Sequence, residues 1–172
     1  MKVNKIELVK YYDENGYILD SEIYVSPLNT KLEIVWECLD TLSKIENGDS
    51  NCDIHTVTDL VVRIYNNQFT KKELLEGLDA VTRNVELIEQ ITFVASGQGF
   101  EMSGDTSNAK IGEINSWEDS KNNIKKFVKD MMKEGKDINN LMDMPFSFFM
   151  EIVDESNKKN VKKSESMIDA FM

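Results

Sequence analysis

Apolar and polar positions alternate first in a strand pattern and then in a helical one. Lys5 to Tyr12 is rich in Ile, Leu, Val and Tyr, and so is Tyr17 to Val25. Asp13-Glu14-Asn15-Gly16 lies between them, with Asn-Gly the favoured hairpin dipeptide. The pair predicts a β-hairpin that Pro27 ends. A lone hairpin is marginal in water, so it must lie on helices or pair with a strand from a partner. Its free edge is either an oligomer contact or is covered by the chain's own loops.

From Asn29 or Thr30 to about Glu46 the period changes to that of a helix. Leu32, Val35, Trp36, Leu39, Leu42 and Ile45 form one stripe, with Trp36 read as core. Residues 47–51 form a loop. Asp53 or Thr56 then caps a helix with Val57, Leu60, Val61, Ile64 and Tyr65 on one face. The chain breaks at Asn66-Asn67, and Phe69 is placed to plug the corner. Thr70 with Glu73 three residues on has the spacing of a capping box. The short helix it opens carries Leu74 and stops near Gly77. Asp79 is placed to cap a fourth helix with Val81, Val85, Ile88, Ile91 and Val94 or Ala95 as its apolar positions.

Ser96 to Ser116 loses all helical period. Four glycines stand there among small polar residues, the composition of a flexible linker. Ser116 caps a further helix whose apolar face is Ile124, Phe127, Val128, Met131 and Met132, with Lys121, Lys125, Lys126, Lys129 and Lys133 around it. Gly135 is a C-terminal stop. Asp137 caps a short turn through Leu141 and Met142, and Pro145 suits the first position of a final helix loaded with Phe146, Phe149, Met150, Ile152 and Val153. Lys158 to Glu165 is charged, and the end, Met167 to Met172, is apolar again. The fold class is therefore mainly α with some β (α+β): a hairpin packed on a small helical bundle (1–95), a flexible linker (96–115), a small helical module (116–157) and a tail (158–172).

Composition narrows the function. The net charge of −11 argues against nucleic acid, which needs clustered Lys and Arg. The charge is concentrated in residues 1–95, with 9 Lys/Arg against 17 Asp/Glu, and could steer a basic protein partner. There is no apolar run of ~18 residues, so no membrane span is expected, and the N-terminus lacks a signal-peptide pattern. Cys38 and Cys52 are too few for a disulfide framework or a zinc site, and Cys38 falls inside a helix as a small hydrophobe. His55, the one histidine, reads as a solvent-facing residue in a first helical turn. Glu73 and Glu76 share a helix face, but neither a phosphate loop nor a metal-ligand cluster accompanies them. No catalytic, metal or cofactor residue is expected, and the protein is read as a non-enzyme.

The string from Tyr65 through Asn67-Gln68-Phe69-Thr70, Leu74 and Gly77-Leu78-Asp79 resembles a recurring segment of the tail assembly chaperones of long-tailed phages and prophages of Gram-positive bacteria. Val25-Ser26-Pro27 before the first helix is similar to the same family. So are Trp117, Asp119, Gly135, Asp137-Ile138, Met144-Pro145-Phe146 and Phe148-Phe149, which stand where its long form carries a second module. The resemblance implies a chaperone that binds the tape measure protein and recruits tail tube subunits. It would act in the bacterial host cytoplasm and be absent from the mature virion. By that analogy the front domain holds the tape measure and the second module the tube subunits, with self-association a further expectation. Tyr65, Phe69, Leu74, Met131, Met132, Phe146, Met150, Met167 and Phe171 are the candidate protein-contact residues, the methionines suited to adaptable contacts. The alternative is a non-enzymatic phage structural or adaptor protein, such as a connector.

Overall fold

The computed structural model describes residues 3–49, 52–97, 116–153 and 155. The hairpin is β1 (Lys5–Tyr12) and β2 (Ile18–Val25), antiparallel, with Lys5 opposite Val25 and Leu8 opposite Glu22. The ladder is irregular around Tyr11 and Tyr12. Gly16 sits at φ 84° in the turn, where a side chain would be strained. Behind the hairpin come α1 (Leu32–Glu46), α2 (Ile54–Ile64), α3 (Lys71–Gly77) and α4 (Arg83–Ala95). They are followed by α5 (Trp117–Lys133), α6 (Ile138–Asp143) and a last helix, α7, over 146–153. The mainly helical α+β class is as the sequence predicts.

Ile6 and Leu8 are the side chains by which β1 enters the main core. They meet Val35, Leu39 and Leu42 of α1, Val57, Leu60, Val61 and Ile64 of α2, and Leu87, Ile91 and Val94 of α4. Tyr65 is fully buried at the end of α2, and its hydroxyl donates to Gln90 Oε1 at 2.6 Å. Gln90 Nε2 in turn donates to Lys5 O at 3.2 Å. This chain of hydrogen bonds fixes α2, α4 and β1 together and satisfies polar atoms whose burial alone would cost about 1–3 kcal/mol each.

The corner after α2 is built on two left-handed residues, Asn66 (φ 54°) and Asn67 (φ 58°). Asparagine is among the few non-glycine residues that tolerate this conformation. Phe69 turns back into the core, with its ring 4.9 Å from that of Tyr24 and 5.2 Å from that of Tyr65. Thr70 then opens α3 with both halves of the capping box formed. Gly77 ends α3 in close contact with β1, since a Cβ there would lie 2.8 Å from the Cβ of Leu8. Close approach, not a left-handed turn, is what requires glycine at this position.

Two sequence expectations shift. Asp79 caps a turn ahead of α4, accepting from the Val81 and Thr82 amides, and α4 starts only at Arg83. Val81 therefore precedes the helix and is 87% exposed, while Val85 is 60% exposed on its outer side. The buried stripe is Leu87, Gln90, Ile91 and Val94. Its phase follows the contact with α1 and α2, which local periodicity cannot reveal. Pro145 stands one place before α7, in an isolated bridge with Lys31, and its carbonyl accepts the first helical bond from Phe149.

A second, smaller cluster comprises Val128 of α5, Leu141 of α6, Phe149 of α7 and Leu32 of α1. Ser116 and Asp137 cap α5 and α6 as predicted. Gly135 (φ 89°) ends the turn after α5. The linker beyond Gly97 and the tail from residue 156 lie outside the described residues.

Candidate interaction surface

Two surfaces matter. The first joins the helices after residue 116 to α1. The Leu32 amide donates to Met144 O at 2.9 Å and the Phe146 amide to Thr30 O at 2.8 Å, flanking the bridge of Lys31 with Pro145. Farther along α1, Lys121 Nζ lies 2.9 Å from Asp40, and the Ser43 hydroxyl donates to Glu118. The Trp117 amide donates to Glu46 at 3.3 Å. Lys31 and Asp143 form an exposed ion pair across the same seam. Hydrogen bonds from Lys121 and Lys44 outweigh the effect of partial burial and hold the Asp40 carboxyl below its ordinary range. Glu118 is likewise held low, chiefly by the Ser43 hydroxyl.

The second surface is the hairpin. Tyr11, Tyr12, Tyr17, Ile18, Leu19 and Ile23 are all exposed, Tyr17 at 71% and Leu19 at 67%. A two-stranded ribbon long enough to reach past the helices has apolar residues on both faces and only its base is covered. Lys10 of β1 reaches across to β2: its Nζ lies 3.3 Å from Glu22 and donates to the Tyr24 hydroxyl at 3.0 Å. Those partners raise the lysine's pKa, the Tyr24 hydrogen bond most.

The predicted contact residues separate into three groups. Tyr65, Phe69 and Leu74 are buried in the main core, so they shape the front of the molecule from within and are covered in this arrangement. Met131, Phe146 and Met150 are half-buried against the second cluster, with Phe146 also reaching the main core. Met132 is exposed at the end of α5, beyond the packed stripe. Met167 and Phe171 lie outside the described residues. The exposed hairpin was not among the predicted contact residues. Its signal was the runs Tyr11-Tyr12 and Tyr17-Ile18-Leu19, which place apolar side chains on both faces of one ribbon.

Among the described residues no group of His, Cys, Asp and Glu could hold a metal ion. No described helix is long and apolar enough to cross a membrane. Burial pushes the Cys38 thiol far up, away from the reactive thiolate form.

No curated protein and no solved structure matches the chain. A family model described as phage tail chaperone protein matches residues 1–112, which takes in the hairpin, the asparagine corner and α1 to α4, and ends before α5. The buried corner that carries the N-Q-F-T string lies within the matched segment, and the match covers well over half of the chain: the chain belongs to the phage tail chaperone protein family and takes part in tail assembly.

Proposed function

We propose that this chain is a non-enzymatic chaperone that holds the tape measure protein during tail assembly and brings tail tube subunits to it. The observation that supports the reading most is the hairpin, a projecting ribbon of exposed Tyr, Ile and Leu on a well-packed base. Monomeric soluble proteins seldom display such apolar surface without a partner for it. A long helical client with an apolar stripe suits that surface, and the acidic front half favours a client with basic flanks. The helices after 116 carry the tube-subunit role in this proposal, with Met132, Ile138 and Phe148 as exposed apolar side chains. The protein works in the host cytoplasm and leaves before the particle is finished.

Co-expression with the tape measure and tube proteins of its own genome tests this. The expected result is that the full chain keeps the tape measure soluble and brings down both proteins. Tyr17→Asp with Leu19→Asp releases the tape measure alone, and Met132→Asp with Phe148→Asp releases the tube protein alone. If the wild-type chain captures neither, the reading fails. If it is found in finished virions, a connector role takes its place.

A further inference from the structure

Among the described residues, the outer face of the hairpin is left uncovered. Ile6 and Leu8 point inward to the helices, and Tyr24, opposite Ile6, packs on Phe69. Residues opposite each other in a ladder share a face. Lys5 with Val25, Glu7 with Ile23 and Val9 with Ser21 therefore make up the outer one. The Ser21 hydroxyl donates to Glu7 across it. Ile23 is 61% exposed, Val25 and Val3 are exposed near it, and Val9 is half-buried. An antiparallel sheet with one face in water keeps that face polar by alternation. Val9, Ile23 and Val25 break the alternation and mark a face that meets an apolar partner.

We propose that the occupant is the chain's own segment after α7: the apolar residues Met167, Ile168, Phe171 and Met172 dock on Val9, Ile23 and Val25. Charge selects this face. The hairpin from Lys5 to Val25 holds two lysines against five Asp and Glu, and Lys10 is already engaged by Glu22. Residues 156–172 hold Lys158, Lys159, Lys162 and Lys163 against Glu165 and Asp169. A basic segment with an apolar end thus meets an acidic ribbon with an apolar face. The rear of the molecule is the nearer apolar surface, but it repels such a segment. Lys125, Lys126, Lys129 and Lys133 of α5 are all exposed there around Met132.

Length allows the contact. The Phe146 amide donates to Thr30 O, which places the start of α7 five residues along the chain from Val25. Even if α7 and residues 25–30 ran straight away from each other, Glu155 would lie within roughly 40 Å of Val25. The chain from Glu155 to Met167 extends to ~40 Å, so the apolar end reaches the face in every arrangement. A tether this short holds it there at an effective concentration on the order of 1 mM. Any outside partner for the outer face must therefore displace the chain's own segment first. The docking itself does not rest on the tape-measure reading.

A spin label on the full chain tests it. In a Cys52→Ser background, Ser166→Cys takes a nitroxide, while Cys38 is fully buried and stays unlabelled. Amide signals of Val9, Ser21, Ile23 and Val25 are expected to lose intensity, while those of α6 keep theirs. The loss should vanish on Met167→Asp with Phe171→Asp, vanish on Ile23→Lys, and shrink as NaCl rises from ~50 to ~500 mM. Mixing spin-labelled chains with isotope-labelled chains that carry no nitroxide should give no loss, because the contact lies within one chain. Full intensity on the hairpin overturns the inference, as does loss confined to the rear helices. So does a loss that survives both sets of substitutions, or one as large in the mixed sample, which would place the contact between copies.

Discussion

The two hydrophobic clusters differ in how far each supports itself. The front cluster draws on β1, α1, α2, α3 and α4, and is closed by the Tyr65–Gln90–Lys5 hydrogen bonds. The rear cluster has Val128, Leu141 and Phe149 of its own and takes its fourth buried member, Leu32, from α1. Its remaining apolar residues, Phe127, Met131, Met142 and Met150 among them, are only half covered. Burial of apolar area is the main favourable contribution to folding, so the front should stand without the rear, while the rear depends on α1. One helix thus serves two clusters, its first residue Leu32 packing into the rear one and the rest of the stripe into the front one.

The comparison breaks most directly at Phe69. Phe69→Ala removes the plug of the corner and should cost about 3–5 kcal/mol. Urea unfolding should show both regions lost together, because the rear loses its support; survival of the front would mean the corner is not structural. Leu32→Ala is the converse case. We expect about 2–4 kcal/mol, confined to the rear: amide exchange over 117–153 rises while the amides of α2 and α4 stay protected. Equal exchange in both would show one indivisible core. Gly77→Ala places a methyl against Leu8 and should destabilise the front by about 1–3 kcal/mol, read as an earlier urea midpoint; a stabilised variant would show that β1 yields easily.

The smallest effect is acid release of the seam. Asp40 and Glu118 have folded pKa values below their unfolded ones. Their contribution is complete above the unfolded carboxyl range of ~4 and is lost as pH falls through the folded values. Proteolysis between the two regions should therefore speed up below about pH 4, and Asp40→Asn should make it fast already at neutral pH.

Much of this could be read in advance where the cause is local. Thr70, Ser116 and Asp137 cap helices through contacts three residues away, so sequence alone finds them, while of the two caps open for α2 it is Asp53 that serves, accepting from the Thr56 amide. Phe69 was legible because the break at Asn66-Asn67 leaves an apolar residue at a corner. The phase of α4 was not, since Val85 and Leu87 are equally apolar and only the packing partner decides between them. Leu32 sat correctly in its stripe, yet nothing in the spacing says that it serves a cluster formed more than a hundred residues later. The exposed hairpin was hidden for a related reason: strand pattern shows which residues can be covered, not whether anything covers them.

That delay has a meaning in time. At a synthesis rate of ~5–20 residues per second, roughly fifty residues separate the completion of α4 from the appearance of Phe149, an interval of about 3–10 s. Throughout it the front is complete, while Leu32 and the backbone of Thr30 to Leu32 wait uncovered. Each newly made chain therefore passes through a brief youth in which the start of α1 is open to whatever reaches it first, and any chain ended early would keep it open for life.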